Sequence, residues 1–122
     1  MPRNISFALT TAQFRDGSKD VTRRLAWKDL KAGDILCAVE KGMGLKKGET
    51  VKKLGLIRVV SARREPLRKM LDATCYGRNE VRREGFPAMT PEEFVEFFCR
   101  SHAGCTPDSD VTRIEFERIA GE

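Results

Sequence analysis

A chain of 122 residues is long enough to bury a core without disulfide or metal staples, and the length predicts one domain over residues 1–122. Charged residues make up 34% and hydrophobic ones 40%. The hydrophobic residues fall in periodic runs, which excludes a disordered chain, and no run reaches the ~20 residues of a bilayer-spanning helix. The net charge of +5 suits an anionic partner such as RNA, DNA or a nucleotide.

The opening stretch MPRNISFALTTAQF has no long apolar segment of the signal-peptide kind. A cytoplasmic protein is therefore expected, with Cys37, Cys75, Cys99 and Cys105 as reduced thiols.

In chain order, ISFALT (5–10) predicts a first strand, with Ile5, Phe7 and Leu9 on one face. TAQFRDGS reads as a short helical turn closed by glycine, and the basic stretch GSKDVTRRL (17–25) as a further helical turn. A turn at Gly33-Asp34 leads into a strand over 34–41, DILCAVEK, which buries Cys37. KGMGLKKGE (41–49) is a glycine- and lysine-rich loop. A long strand follows over 51–65. Its doubled apolar pairs, Leu56-Ile57 and Val59-Val60, predict a bulge or burial on both faces, and Pro66 ends it.

PLRKML and NEVRREGFP predict short helical segments, the second stopping at Gly85. The strongest helix signal lies over 90–102, where Thr90, Pro91 and Glu93 form an N-terminal capping box. Phe94, Phe97 and Phe98 share one face of it and are expected in the core. VTRIEFERI (111–119) alternates Ile114 and Phe116 with Glu115 and Glu117, as a half-buried strand does. The order predicts an α+β fold, a mostly antiparallel sheet curled toward a small barrel with helices outside it.

Four groups of residues carry possible chemistry. CRSHAGC offers Cys99, His102 and Cys105, with Cys75 as a distant fourth ligand. Structural zinc sites draw on two paired knuckles, so no metal is expected. GMGLKKG lacks the P-loop spacing, and Lys46 and Lys47 read either as solvated lysines or as phosphate contacts. Glu65, held extended before Pro66 at a strand end, is placed to face a cleft. Lys19 and Thr22, three apart, share a face if their segment is a helical turn. There Lys19 could donate to an anion or, with its proton removed by burial, accept the threonine's.

GSKDVTRR resembles the G-x-K-x-x-T-x-R motif of the activating signal cointegrator homology (ASCH) domains, a branch of the PUA-like superfamily. The matching positions are Gly17, Lys19, Thr22 and Arg24. DILCAVEK after a Gly-Asp turn, the long strand ending in RREPL, the EGFP turn (84–87) and the final VTRIEFE follow the family's order, so the resemblance covers almost the whole chain. It is similar to the small stand-alone forms of bacteria and their phages. The resemblance implies a PUA-like β-barrel with flanking helices, a cleft carrying the motif, and contact with RNA or a modified nucleotide. Some small members are amidohydrolases of N4-acetylcytidine that use a lysine, a threonine and a glutamate. Carried over, these are Lys19, Thr22 and, as the candidate for the third, Glu65. Other members resemble RNA-cleaving enzymes or plain RNA binders.

Two functions therefore stand side by side, with a protein-interaction domain that uses its charged faces as a third. As a binding module, the cleft would set Lys19, Arg23 and Arg24, with Lys46 and Lys47, on phosphates. Trp27 would be either a stacking platform for a base or a core residue near Leu25 and Leu30. As an enzyme, Thr22 would attack an acyl carbon, Lys19 take its proton and Glu65 carry a proton to the leaving amine. No cofactor is expected in either case. A closed pocket with a lysine of lowered pKa favours the enzyme, and an open basic groove favours the binder.

Overall fold

The computed structural model describes residues 3–40, 52–72 and 74–119. Its strands are β1 (Arg3–Ser6), β2 (Val21–Arg24), β3 (Ile35–Val39), β4 (Lys53–Pro66) and β5 (Asp110–Arg118). They form one sheet in the order β1-β3-β4-β5-β2. Only β1 and β3 run parallel, and the other three pairings are antiparallel. Four helices flank this curled half-barrel: α1 (Thr11–Asp16), α2 (Lys69–Asp72), α3 (Thr74–Arg83) and α4 (Pro91–Arg100). The expected fold class, α+β with a curved and mostly antiparallel sheet, is the one observed. No helix among the described residues is long and apolar enough to cross a membrane.

β4 is the spine. It pairs with β3 through its first half and with β5 through its second. The register slips between Val59 and Ser61, where the doubled valines predict a bulge. Bending there lets one long strand serve two partners and curls the sheet. Inside the curl lies an apolar cluster in which Phe7, Phe14 and Phe116 meet with ring centroids 5.0–6.0 Å apart. Leu36, Ile57 and Ile114 complete its floor, and Trp27 packs against its edge under the Arg3 guanidinium, 4.7 Å from the ring centre. A second cluster, with Leu67, Met70, Val81, Phe94 and Phe98, joins α2, α3 and α4 to the end of β5.

Three local expectations are corrected. β1 ends at Ser6, and Leu9 is 69% exposed rather than buried with Ile5 and Phe7. The amide of Thr10 turns back to the Phe7 carbonyl, so the alternation stops before Leu9. GSKDVTRRL is not a helical turn. Val21 and Thr22 are β-branched, and they pair with Glu115 and Ile114 as an edge strand. Phe94 and Phe98 are buried on α4 as expected, but Phe97 is half-buried and faces a pocket. The capping box is present: Thr90 Oγ1 accepts from the Glu93 amide at 3.1 Å, and Glu93 accepts from the Thr90 amide at 2.9 Å.

Candidate functional site

The site is built where β2 meets the turn after α3. As a strand, β2 sends Thr22 and Arg24 to one side and Arg23 to the other. On the first side Arg24 donates through Nε to Thr22 Oγ1 at 3.2 Å and through Nη2 to the Ser6 carbonyl at 2.5 Å. It also lies over the Phe7 ring, 5.4 Å from its centre. Arg24 makes no ion pair among the described residues. Burial pulls its pKa below the ordinary arginine value, against the raising influence of Glu84.

Arg23 points into the protein, under α3, with its side chain wholly buried. It meets three carboxylates: Glu80 at 2.6 Å, Glu84 at 3.0 Å and Glu65 at 3.3 Å. Arg113 of β5 pairs with Glu80 from the far side, and Tyr76 donates to Glu65 at 2.7 Å. Burial pushes the Glu80 carboxyl up, but hydrogen bonds from Arg113 and the charge of Arg23 outweigh it and hold the pKa at about 2. The same contest at Glu65, with Arg63 and Tyr76 as donors, ends below the ordinary carboxyl value. For Arg23, burial lowers the pKa, and Glu84 and Glu80 more than reverse that. Its Nε is buried without a hydrogen-bond partner among the described residues.

Lys19 sits in the turn before β2 and is only 4% exposed. Its Nζ donates to Glu84 Oε1 at 2.8 Å and to the Glu84 carbonyl at 2.9 Å. Burial lowers its pKa, and the attraction of Glu84 does not restore it. Two backbone features hold the pair together. The Asp20 amide donates to the Arg83 carbonyl at 3.0 Å, and the Asp20 carboxylate clamps the Arg83 guanidinium through two 3.0 Å bonds. Gly85, with φ of 100°, then turns the chain flat against α1. A Cβ there would lie 2.9 Å from Gln13 Cβ, so no larger residue brings Glu84 this close to Lys19.

These groups open onto a pocket of about 240 Å³. Lys19, Thr22, Arg24 and Glu84 supply its polar wall, and Phe86, Phe97 and His102 line it from the turn and α4. Lys19, Thr22 and Arg24 are thus brought together, although the helical spacing first used to join Lys19 and Thr22 does not apply. Glu65 is drawn into the buried ion cluster through Arg23 and does not line the pocket, whereas Glu84 does. Arg23 is turned inward, so no groove of Lys19, Arg23 and Arg24 lies open on the surface. Lys46 and Lys47 fall outside the described residues.

Glu84 and the α4 wall are the site residues the sequence reading missed. A signal was there: Tyr76, Glu80 and Glu84 recur every four residues, a polar stripe along one helix face that ends at a glycine. In CRSHAGC, Cys99 and Cys105 face each other with Sγ atoms 3.4 Å apart, but His102 turns Nδ1 to the Phe98 carbonyl at 2.8 Å. Burial, then Cys105, pushes the Cys99 thiol up to about 11. No group of three metal-ligating side chains converges among the described residues.

The fold has solved counterparts. It is similar to the crystal structure of the hypothetical protein PH0355, with a TM-score of 0.66 at 18% identity, covering 98% of this chain and 100% of that one. It is also similar to protein EF3133 from Enterococcus faecalis V583, of family DUF984, with a TM-score of 0.65 at 18% identity, covering 98% of this chain and 80% of that one. No family model matches the chain. None of the curated proteins matches it either.

Proposed function

We propose that the pocket hydrolyses an acyl amide on a small modified nucleoside of the N4-acetylcytidine kind. The observation that carries this is the buried Lys19–Glu84 pair on the wall of a small pocket that also contains Thr22. A phosphate groove needs cations facing water, and here Lys19 and Arg23 are both buried against carboxylates.

The proton count closes with residues at hand. In the reaction Glu84 Oε1 takes the proton that Lys19 donates to it across their 2.8 Å bond. Lys19 then accepts the proton of Thr22 as its hydroxyl oxygen attacks the acyl carbon. Arg24, already donating to Thr22 Oγ1 and unpaired with any carboxylate among the described residues, stands by the charge that develops on the acyl oxygen. Glu84 delivers its proton to the departing amine, leaving an acyl-threonine. Water attacks that ester and gives a proton to Glu84, the acid leaves, and Lys19 returns the threonine's proton. The role the resemblance gives to Glu65 passes to Glu84, because among the described carboxylates it is Glu84 that pairs with Lys19.

A second reading keeps the same pocket as a binding site for one unstacked nucleotide of an RNA, with Arg24 on its phosphate. Mass spectrometry of products separates the two. The enzyme reading expects N4-acetylcytidine to yield cytidine and acetate. Turnover should fall as pH rises through the Lys19 value, which lies below the ordinary 10.5, because the proton that the pair shares and Glu84 delivers is then lost. Thr22→Ala should lower kcat by about a thousandfold or more and leave nucleoside affinity within a few-fold. Binding without turnover leaves the second reading in place.

A further inference from the structure

His102 is the chain's one histidine, and the reaction above does not use it. It lies just past the Ser101 cap of α4 and lines the pocket. Two contacts fix its ring. The imidazole stacks on Phe98 with centroids 4.2 Å apart and planes 21° from parallel. Nδ1 lies 2.8 Å from the Phe98 carbonyl, which can only accept. The proton of the neutral ring therefore sits on Nδ1, and Nε2 carries a lone pair.

Few other polar groups of the pocket are free to accept. Lys19 and Glu84 are engaged with each other, and Thr22 Oγ1 already accepts from Arg24. The Ser101 hydroxyl donates to the Phe97 carbonyl at 2.9 Å. Nε2 of His102 has no partner among the described residues. His102 shares the pocket lining with the half-buried ring of Phe97, which meets Phe86 edge to face at 5.5 Å. A flat ring lying on this aromatic wall would bring its edge to a fixed acceptor.

We propose that His102 is a specificity-determining residue: its Nε2 accepts a hydrogen bond from an N–H on the edge of a planar heteroaromatic ligand, and so selects an amino-bearing ring over a carbonyl-bearing one. The inference rests on the reading of this pocket as a nucleoside site, but not on the hydrolysis. A site that presents a lone pair to a ligand amino group leaves two acceptors facing each other when that group is a carbonyl.

The test is equilibrium binding of cytidine and of uridine to the full chain at pH 8, by calorimetry, for the parent protein and two variants. The two probes differ in an amino group against a carbonyl and in the adjoining ring nitrogen. The parent should prefer cytidine by about tenfold, on the order of one hydrogen bond. His102→Phe keeps a ring to stack on Phe98 and should bring the preference within about twofold. His102→Gln, which retains an acceptor oxygen, should recover part of it. An unchanged melting temperature in both variants guards against a folding defect.

Equal binding of the two nucleosides by the parent, binding of neither, or a preference that survives His102→Phe would each overturn the proposal. The hydrolase reading stands or falls separately. Cytidine preference lost in His102→Phe with no turnover of the acetylated nucleoside sinks the hydrolysis and keeps His102. Turnover with a preference indifferent to His102 does the reverse.

Discussion

The inside of the curled sheet and the space under α3 are buried equally well by opposite chemistries. Phe7, Phe14, Ile57 and Ile114 fill the first, each 1% exposed or less. Arg23, Glu80, Glu84 and Arg113 fill the second, each 4% exposed or less. Apolar packing is non-directional, so its loss is graded with the volume removed. The ion cluster has fixed partners: Arg23 alone meets three carboxylates, and Glu80 is shared between two guanidinium groups. Removing one member strands the others in a place water does not reach. The first region holds the barrel together. The second region sets Glu84 against Lys19 and thereby shapes the pocket, so its directional contacts matter to function as well as to stability.

The largest effect expected from this contrast is at Glu80. Glu80→Gln changes almost no volume, yet it leaves Arg23 and Arg113 short of a counter-charge. It should cost about 3–5 kcal/mol, the range for breaking a buried ion pair. Urea unfolding measures it. A loss below ~1 kcal/mol would mean that the cluster tolerates a neutral partner, and the contrast with the apolar region would disappear.

Acid provides the next test. The Glu80 carboxyl is held at about 2 in the folded chain, against an ordinary 4.5. A depressed carboxyl contributes stability that is fully present above the unfolded value and lost as pH falls through the folded one. Stability should therefore decline from about pH 4.5 toward pH 2, with Glu65, also lowered, adding to the slope. In Glu80→Gln the decline over that window should be shallower. Parallel pH curves for the two proteins would show that the cluster does not drive acid unfolding.

In the apolar region a comparable change should do far less. Ile114 is fully buried and faces Thr22 across the β2–β5 pairing. Ile114→Val removes one methylene and should cost about 0.5–1.5 kcal/mol. A loss as large as that of Glu80→Gln would refute the graded behaviour of this core.

The same contrast explains what could be read from the chain. Strand alternation in VTRIEFERI, the Val59-Val60 bulge and the Thr90 capping box each announce themselves within a few residues, because each rests on local periodicity or local hydrogen bonding. The ion cluster does not. Arg23, Glu65, Glu80 and Arg113 lie on four elements and meet only after β4 has bent and α3 has packed. Glu65 was legible as a carboxylate at a strand end, but its partner was not, and the residue that meets Lys19 proved to be Glu84. Lys19 and Thr22 came from a resemblance whose motif needs no helix. Helical spacing does not join them, because the β-branched Val21 and Thr22 make the segment a strand.

α4 shows how narrow that limit is. A helical period places Phe94, Phe97 and Phe98 on a common side but does not say where the core ends and a pocket begins. Phe94 is 2% exposed and Phe98 5%, whereas Phe97 is half-buried and turned toward Phe86 and the pocket. Phe97→Ala should therefore be the mildest change in stability, under about 1 kcal/mol, far from the ~3–5 kcal/mol of a fully buried phenylalanine. Its effect should fall on the ligand instead, since a flat ring loses the face it lies against. Nucleoside affinity should drop by about fivefold to tenfold, in line with the ~0.5–1.5 kcal/mol of an aromatic pair. Thermal melts and calorimetry on one preparation measure both. A large stability loss with unchanged affinity would put Phe97 back in the core and leave the pocket without its aromatic wall.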